Sequence, residues 1–143
     1  MRYWIEPRWP DRRASLDRLY FHCGKRKTAE KMCVGDRVLL YETKRKNPDT
    51  HEQGRGRIFG LGVVAGELQR LPAGDPDRRI VGERKWNLVR AFKLGTHIPL
   101  DQKQLGLSLP RIREILGRKP GWAIRTTTKI TKEKFDELAA ELQ

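Results

Sequence analysis

Histidine and cysteine are scarce in this chain, with three of one and two of the other among 143 residues. Cys23 and Cys33 form no Cys-x-x-Cys pair, and the scattered histidines add no ligand spacing, so no zinc motif is readable. The same scarcity argues against a disulfide framework and predicts a reducing, cytoplasmic setting. His97 with Asp101, and His22 with Cys23, have no third partner at a readable spacing, so neither pair makes a nucleophile triad. Long apolar runs are missing too. Arg2, Glu6 and Arg8 interrupt the segment where a signal peptide would need continuous hydrophobicity, and nothing approaches the ~20 residues of a membrane span. Internal repeats and low-complexity tracts are absent. The expectation is a soluble protein with no membrane partner, no metal and no cofactor.

What the chain does have is positive charge. Lys and Arg number 31 against 18 Asp and Glu, a formal net charge of +13. The excess lies in two blocks, residues 1–57 with 15 basic and 8 acidic side chains and residues 84–134 with 13 and 3. Such a field attracts a polyanion and makes binding salt-sensitive. A solvated, thermophile-style surface is the other reading of the same composition. At this length one domain, spanning 1–143, buries roughly two-thirds of its unfolded surface.

The densest signal is Val34-Gly35-Asp36-Arg37-Val38-Leu39-Leu40-Tyr41-Glu42-Thr43. A Gly-Asp turn launches an apolar strand, and a polar, cationic segment from Lys44 to Arg57 follows. An aromatic ring, hydrogen-bonding side chains and phosphate-seeking charge meet here, the combination that binding a nucleobase requires.

Along the chain, Tyr3-Trp4-Ile5 reads as a short strand stopped by Pro7 and Pro10. Ser15–Tyr20 reads as a short helix, and Thr28–Met32 as a helical turn. Strands are predicted at Asp36–Thr43, Ile58–Gly66, Trp86–Leu94 and Trp122–Ile130, with a turn-rich connection over Leu71–Gly82. Runs that are apolar at consecutive positions fit strands covered on both faces or curled into a barrel. Ser108–Leu116 predicts a helix with Pro110 in its first turn and Gly117 as its stop. Thr131 caps a last helix striped by Phe135, Leu138, Ala139 and Leu142. Gly60-Leu61-Gly62-Val63-Val64-Ala65 matches a loose dinucleotide fingerprint, but it falls inside a strand, where glycine instead permits tight barrel curvature or close ligand approach. The sum is a mixed α/β (α+β) domain built on a small curled sheet or barrel of about five to six strands, with helices inserted and one at the C-terminus.

Taken in order, Tyr3-Trp4-Ile5 with its prolines, the aromatic-basic segment Phe21–Lys27, Gly35–Tyr41, Ile58–Gly66, Trp86–Leu94 and the closing helix–strand–helix resemble an EVE domain. That family belongs to the PUA-like superfamily, with the YTH and ASCH domains. The resemblance covers nearly the whole chain. It implies a pseudo-barrel whose pocket accepts one flipped, modified nucleobase, for instance a methylated one. It also implies a possible separate nuclease partner, because EVE domains occur fused to nuclease or motor modules.

Flipping a base costs a few kcal/mol of stacking and pairing, which stacked rings return at roughly 1–3 kcal/mol per base. Candidate rings for the pocket wall are Trp9, Phe21, Tyr41 and Trp86, each of which reads equally as a core ring. Trp4 reads as core, and Trp122 as either. Glu42, Thr43 and Asn87 are suited to the base edge or to capping strand ends. Lys25, Arg26 and Lys27, then Lys44, Arg45, Lys46, Arg55 and Arg57, form two basic clusters that by the resemblance flank the pocket mouth and hold phosphates. The leading expectation is a non-enzymatic binder of DNA or RNA. One alternative is an ASCH-like hydrolase of RNA or small acylated nucleosides using Thr43, Glu42 and Lys44. The other is an adaptor that binds a small ligand.

Overall fold

The computed structural model describes residues 1–77, 87–99 and 101–142. In chain order the elements are β1 (Tyr3–Arg8), β2 (Arg18–Phe21), a 3-10 turn (Cys23–Lys25), α1 (Arg26–Lys31), β3 (Arg37–Glu42), β4 (Arg57–Val64), β5 (Gln69–Arg70), β6 (Leu88–His97), β7 (Leu107–Ser108), α2 (Leu109–Leu116), β8 (Thr128–Ile130) and α3 (Lys132–Ala140). Among the described residues the strands make one curled half-barrel sheet in the order β2-β6-β4-β3-β1-β8, with β5 on β6 and β7 on β4. Among the described strands only β1 and β3 pair in parallel; the other neighbours are antiparallel. Trp86 and residues 78–85, on which part of the expected connection and strand fall, lie outside the described residues.

Gly35 turns with a φ of 95°, and Asp36 then anchors the start of β3. Its carboxylate accepts from the backbone N–H of Arg2 at 3.0 Å, that of Cys33 at 2.9 Å and the Trp4 indole at 3.0 Å. Burial pushes this carboxyl up, but the donors outweigh it and its pKa falls below the usual value. Because strand side chains alternate, Val38 and Leu40 join Trp4, Phe59 and Phe92 in one core, while Leu39 and Tyr41 join Ile5, Ile58 and Phe135 in a second. The run that is apolar at every position is thus a strand covered on both faces. Gly62 lets β4 and β6 approach: a Cβ there would lie 2.4 Å from the Lys93 carbonyl oxygen and 2.5 Å from the Phe92 ring.

Both late helices form where caps and periodicity place them. The left-handed residue Gly117 ends α2 at φ 67°. The Thr131 hydroxyl accepts from Lys134 N–H at 3.2 Å to start α3, whose Phe135 and Leu138 are buried.

Three expectations are corrected. Ser15–Tyr20 is not a helix: Arg18–Phe21 is a strand paired with β6, with Leu19 and Phe21 buried in alternation. Cross-strand pairing and burial override a weak helical preference in so short a segment. Next, β1 does not stop at Pro7. It continues to Arg8 against β3, while β8 covers only Tyr3–Ile5, so Pro7 stands where a missing N–H breaks no ladder. Finally, the strand expected over Trp122–Ile130 shrinks to Thr128–Ile130. Extending that ladder would bring it to Pro7, which has no N–H to contribute.

Candidate nucleic-acid interface

A cleft opens where β1 and β3 end and the segment from Thr43 to Gly56 folds back. Arg8 pairs with Glu42 in the parallel register, so the two side chains leave the same face of the sheet. From the end of β1 comes Arg8; from the β1–β2 connection, Trp9, Asp11, Arg12, Ala14 and Leu16. Glu42, Glu52, Arg55 and Phe59 line the other side, and Lys103 reaches in from the β6–β7 connection. The enclosed volume is about 20 Å³, within some 350 Å³ of space that includes the open mouth. Only a water-sized group fits the enclosed part, so a base enters only when rim side chains turn outward. Trp9, 37% exposed, and exposed Arg12 are at that rim.

The wall of the cleft is built around one buried guanidinium. Glu42 accepts from the Arg55 backbone N–H at 3.0 Å with Oε1 and from Arg55 Nε at 3.2 Å with Oε2. The guanidinium carbon stands 4.6 Å from the centre of the Phe59 ring, and the Arg55 side chain is 0% exposed. Nη1 and Nη2 have no hydrogen-bond acceptor among the described residues. A buried polar group left in this way costs about 1–3 kcal/mol, more if charged. Arg8 Nη2 donates to the Ser15 carbonyl at 3.2 Å, and its guanidinium lies 5.8 Å from the centre of the Tyr20 ring. Burial lowers the Arg8 pKa from its usual value, against the opposing pull of Tyr20, Glu42, Glu6 and Asp11.

Two residues earlier on the same face, Glu6 is buried and its carboxyl is pushed up to about 8. Burial is the cause, only partly countered by the Thr127 hydroxyl, which donates to Glu6, and by the charge of Arg8.

The basic loop is tied down internally. Asn47 is buried; its Oδ1 accepts from Asp49 N–H at 2.8 Å, and its Nδ2 donates to the Pro10 carbonyl at 2.9 Å. The Gln53 amide donates to the Lys44 carbonyl, and Glu52 Oε1 accepts from Arg12 N–H at 3.0 Å. Gly54 is required by contact: a Cβ there would sit 1.6 Å from the Thr43 carbonyl oxygen.

The residues nominated from sequence separate sharply. Trp9 lines the cleft. Phe21 is 2% exposed inside the first core, and Tyr41 is 4% exposed in the second core on the opposite face from Glu42. Neither ring reaches the cleft, because strand alternation cannot send both Tyr41 and Glu42 to one side. Glu42 does line it, with its carboxylate engaged by Arg55. Thr43 is half-buried and its Oγ1 has no partner among the described residues; buried Asn87 likewise has an unpartnered Oδ1. Neither lines the cleft. Trp86 lies outside the described residues.

Of the basic clusters, Lys25, Arg26 and Lys27 are exposed, with Arg26 paired to Glu30 at 2.9 Å. Lys44, Arg45 and Lys46 are exposed on the loop. Arg55 and Arg57 depart from the phosphate role: Arg55 is buried against Glu42, and Arg57 Nη1 donates to the Gly106 carbonyl at 2.9 Å. Sequence reading passed over Arg8, Arg12, Phe59 and Lys103. The Trp4–Glu6–Arg8 alternation was the available signal for Arg8. Phe59 sits in a continuous apolar run that marks only core.

No protein-family model and no curated protein matches the chain. Solved structures do. A protein from Pseudomonas putida superposes with a TM-score of 0.60 at 17% identity, covering 99% of each chain. A serine-to-alanine mutant of ZmASCH from Zymomonas mobilis gives 0.59 at 9% identity, covering 97% of this chain and 95% of its own. The Pho92 YTH domain, solved in complex with m6A, gives 0.53 at 15% identity, with 99% and 84% covered. This is the fold of those ASCH and YTH structures, a curled sheet with a C-terminal helix as the resemblance implied. At these identities the likeness is one of fold.

Proposed function

We propose that the protein is a non-enzymatic reader of nucleic acid that takes one modified base into the cleft beside Trp9. One observation carries this reading: an exposed indole and a buried guanidinium, whose terminal N–H groups have no partner among the described residues, line the same opening, beneath cationic side chains. In the mechanism, Lys44, Arg45, Lys46, Arg12 and Lys103 hold phosphates, Trp9 and Arg12 swing aside, and the base stacks on the indole while its polar edge meets Arg55. Phosphate contacts position the strand; the base contact specifies it. The Pho92 YTH domain in complex with m6A lends the reading support from a shared fold. Any strand cleavage is assigned to a separate nuclease. The test is a panel of DNA and RNA oligonucleotides differing only in one modified base, each measured at two salt concentrations. Equal affinity throughout would remove the modified-base claim.

A further inference from the structure

We infer that Arg55 is the group by which the cleft identifies its base, and that the base it accepts presents two adjacent hydrogen-bond acceptors. The inference rests on the cleft being a base site and names the class of base.

Glu42 grips Arg55 at the backbone N–H and at Nε, so the side of the guanidinium next to the chain is occupied. Phe59 covers one face at 4.6 Å. What remains is the far edge, Nη1 and Nη2, fully buried and without an acceptor among the described residues. Because Arg55 and Phe59 both line the cleft, this stacked pair belongs to its wall. A guanidinium cannot be deprotonated to relieve the mismatch, and it has no acceptor of its own. Its far edge offers two parallel N–H bonds, a fork that fits two acceptors side by side.

Few base edges match. Guanine presents O6 and N7 together, the pair arginine takes in a bidentate contact. Cytosine presents O2 and N3. Adenine places its amino group beside both N1 and N7, and N6-methylation keeps an N–H there. Thymine and uracil set an N–H between their carbonyls. With those bases one arm of the fork would face a donor and stay unpaired, and a buried site built for hydrogen bonds discriminates strongly against such ligands. Methylation at cytosine C5 leaves the O2/N3 pair intact, whereas methylation at guanine N7 removes the acceptor pair there.

The experiment uses the full chain and thymidine-run oligonucleotides carrying one central base: guanine, 7-deazaguanine, cytosine, 5-methylcytosine, 3-deazacytosine, adenine or N6-methyladenine. Affinities are read by fluorescence anisotropy at about 50 and 200 mM salt. At least one acceptor-pair base should bind about tenfold or more tightly than both adenine forms, and its deaza analogue should lose about 5- to 100-fold. Arg55→Lys should lose the preference for the acceptor-pair base, and a retained preference overturns this inference. Tighter binding of an adenine form, or a deaza analogue as good as its parent, overturns this inference and leaves the reader function standing. No base preference at either salt overturns both. Should Arg55→Lys not fold, the deaza comparison on the unaltered protein still decides.

Discussion

Glu42 and Arg55 are joined at two points, backbone N–H to Oε1 at 3.0 Å and Nε to Oε2 at 3.2 Å, with both side chains nearly sealed from solvent. The pair closes the Thr43–Gly56 loop onto β3 and sets the wall of the cleft. Removing one partner leaves the other charged and buried. Glu42→Ala is therefore expected to destabilise the fold by about 3–5 kcal/mol. Replacing both, as Glu42→Leu with Arg55→Met, should restore most of that while removing base discrimination. Denaturant titrations of the two single variants and the double variant give the coupling directly. Additive effects would show that the pair is not a unit.

Glu6 makes stability depend on pH. Its carboxyl stands at about 8 in the fold, against 4.5 for the free group. Between those values the folded protein keeps a proton that the unfolded chain has released, so raising the pH favours unfolding. The contribution is full below about pH 4.5 and is lost as pH rises through about 8. Urea midpoints should fall from pH 5 to pH 8, and Glu6→Gln should flatten that decline. An unchanged slope in Glu6→Gln would place the titration elsewhere.

Trp9 and Tyr41 are expected to behave oppositely. Trp9→Ala removes a ring that is 37% exposed, so Tm should move little while binding of the preferred base weakens by about 1–3 kcal/mol. Tyr41→Ala empties a core site on the other face of the sheet and should cost about 3 kcal/mol or more of stability. A Trp9 variant with a strongly lowered Tm but an unchanged base preference would reverse these roles.

Neutralising Lys44, Arg45 and Lys46 together should weaken binding to every oligonucleotide alike and leave base preference untouched. The slope of log affinity against log salt should become shallower by about 0.9 for each phosphate no longer neutralised on duplex DNA, or about 0.7 on single strands. An unchanged slope means that the loop does not touch the backbone.

Gly54→Ala is expected to disrupt the loop, because the added methyl would stand 1.6 Å from the Thr43 carbonyl oxygen. Loss of about 1–3 kcal/mol in stability, with weakened binding, follows from overpacking at a site that cannot yield. A variant with unaltered Tm and affinity would show that the loop relaxes freely.

Much of this molecule follows from local chemistry that any short window of residues displays. Thr131 and Gly117 bound their helices because a hydroxyl and a left-handed glycine act within one turn. The apolar run of β3 announced a strand covered on both faces, whereas the close approach of β4 to β6 at Gly62 is a matter of strand pairing that the glycine alone did not specify. Partner choice was not so visible. Arg18–Phe21 becomes a strand only because β6 lies beside it, and Trp122–Thr127 stays out of the sheet because β1 has Pro7 opposite. The cleft depended on contacts of this second kind. Arg55 looks like a phosphate ligand until the loop brings it back to Glu42, 13 positions away. Tyr41 looks like a pocket wall until the sheet sends it to the opposite core. Caps, turns and alternation are properties of neighbours in the chain; register, burial and charge pairing arise between segments far apart in it, and they alone made a buried guanidinium out of a basic loop residue.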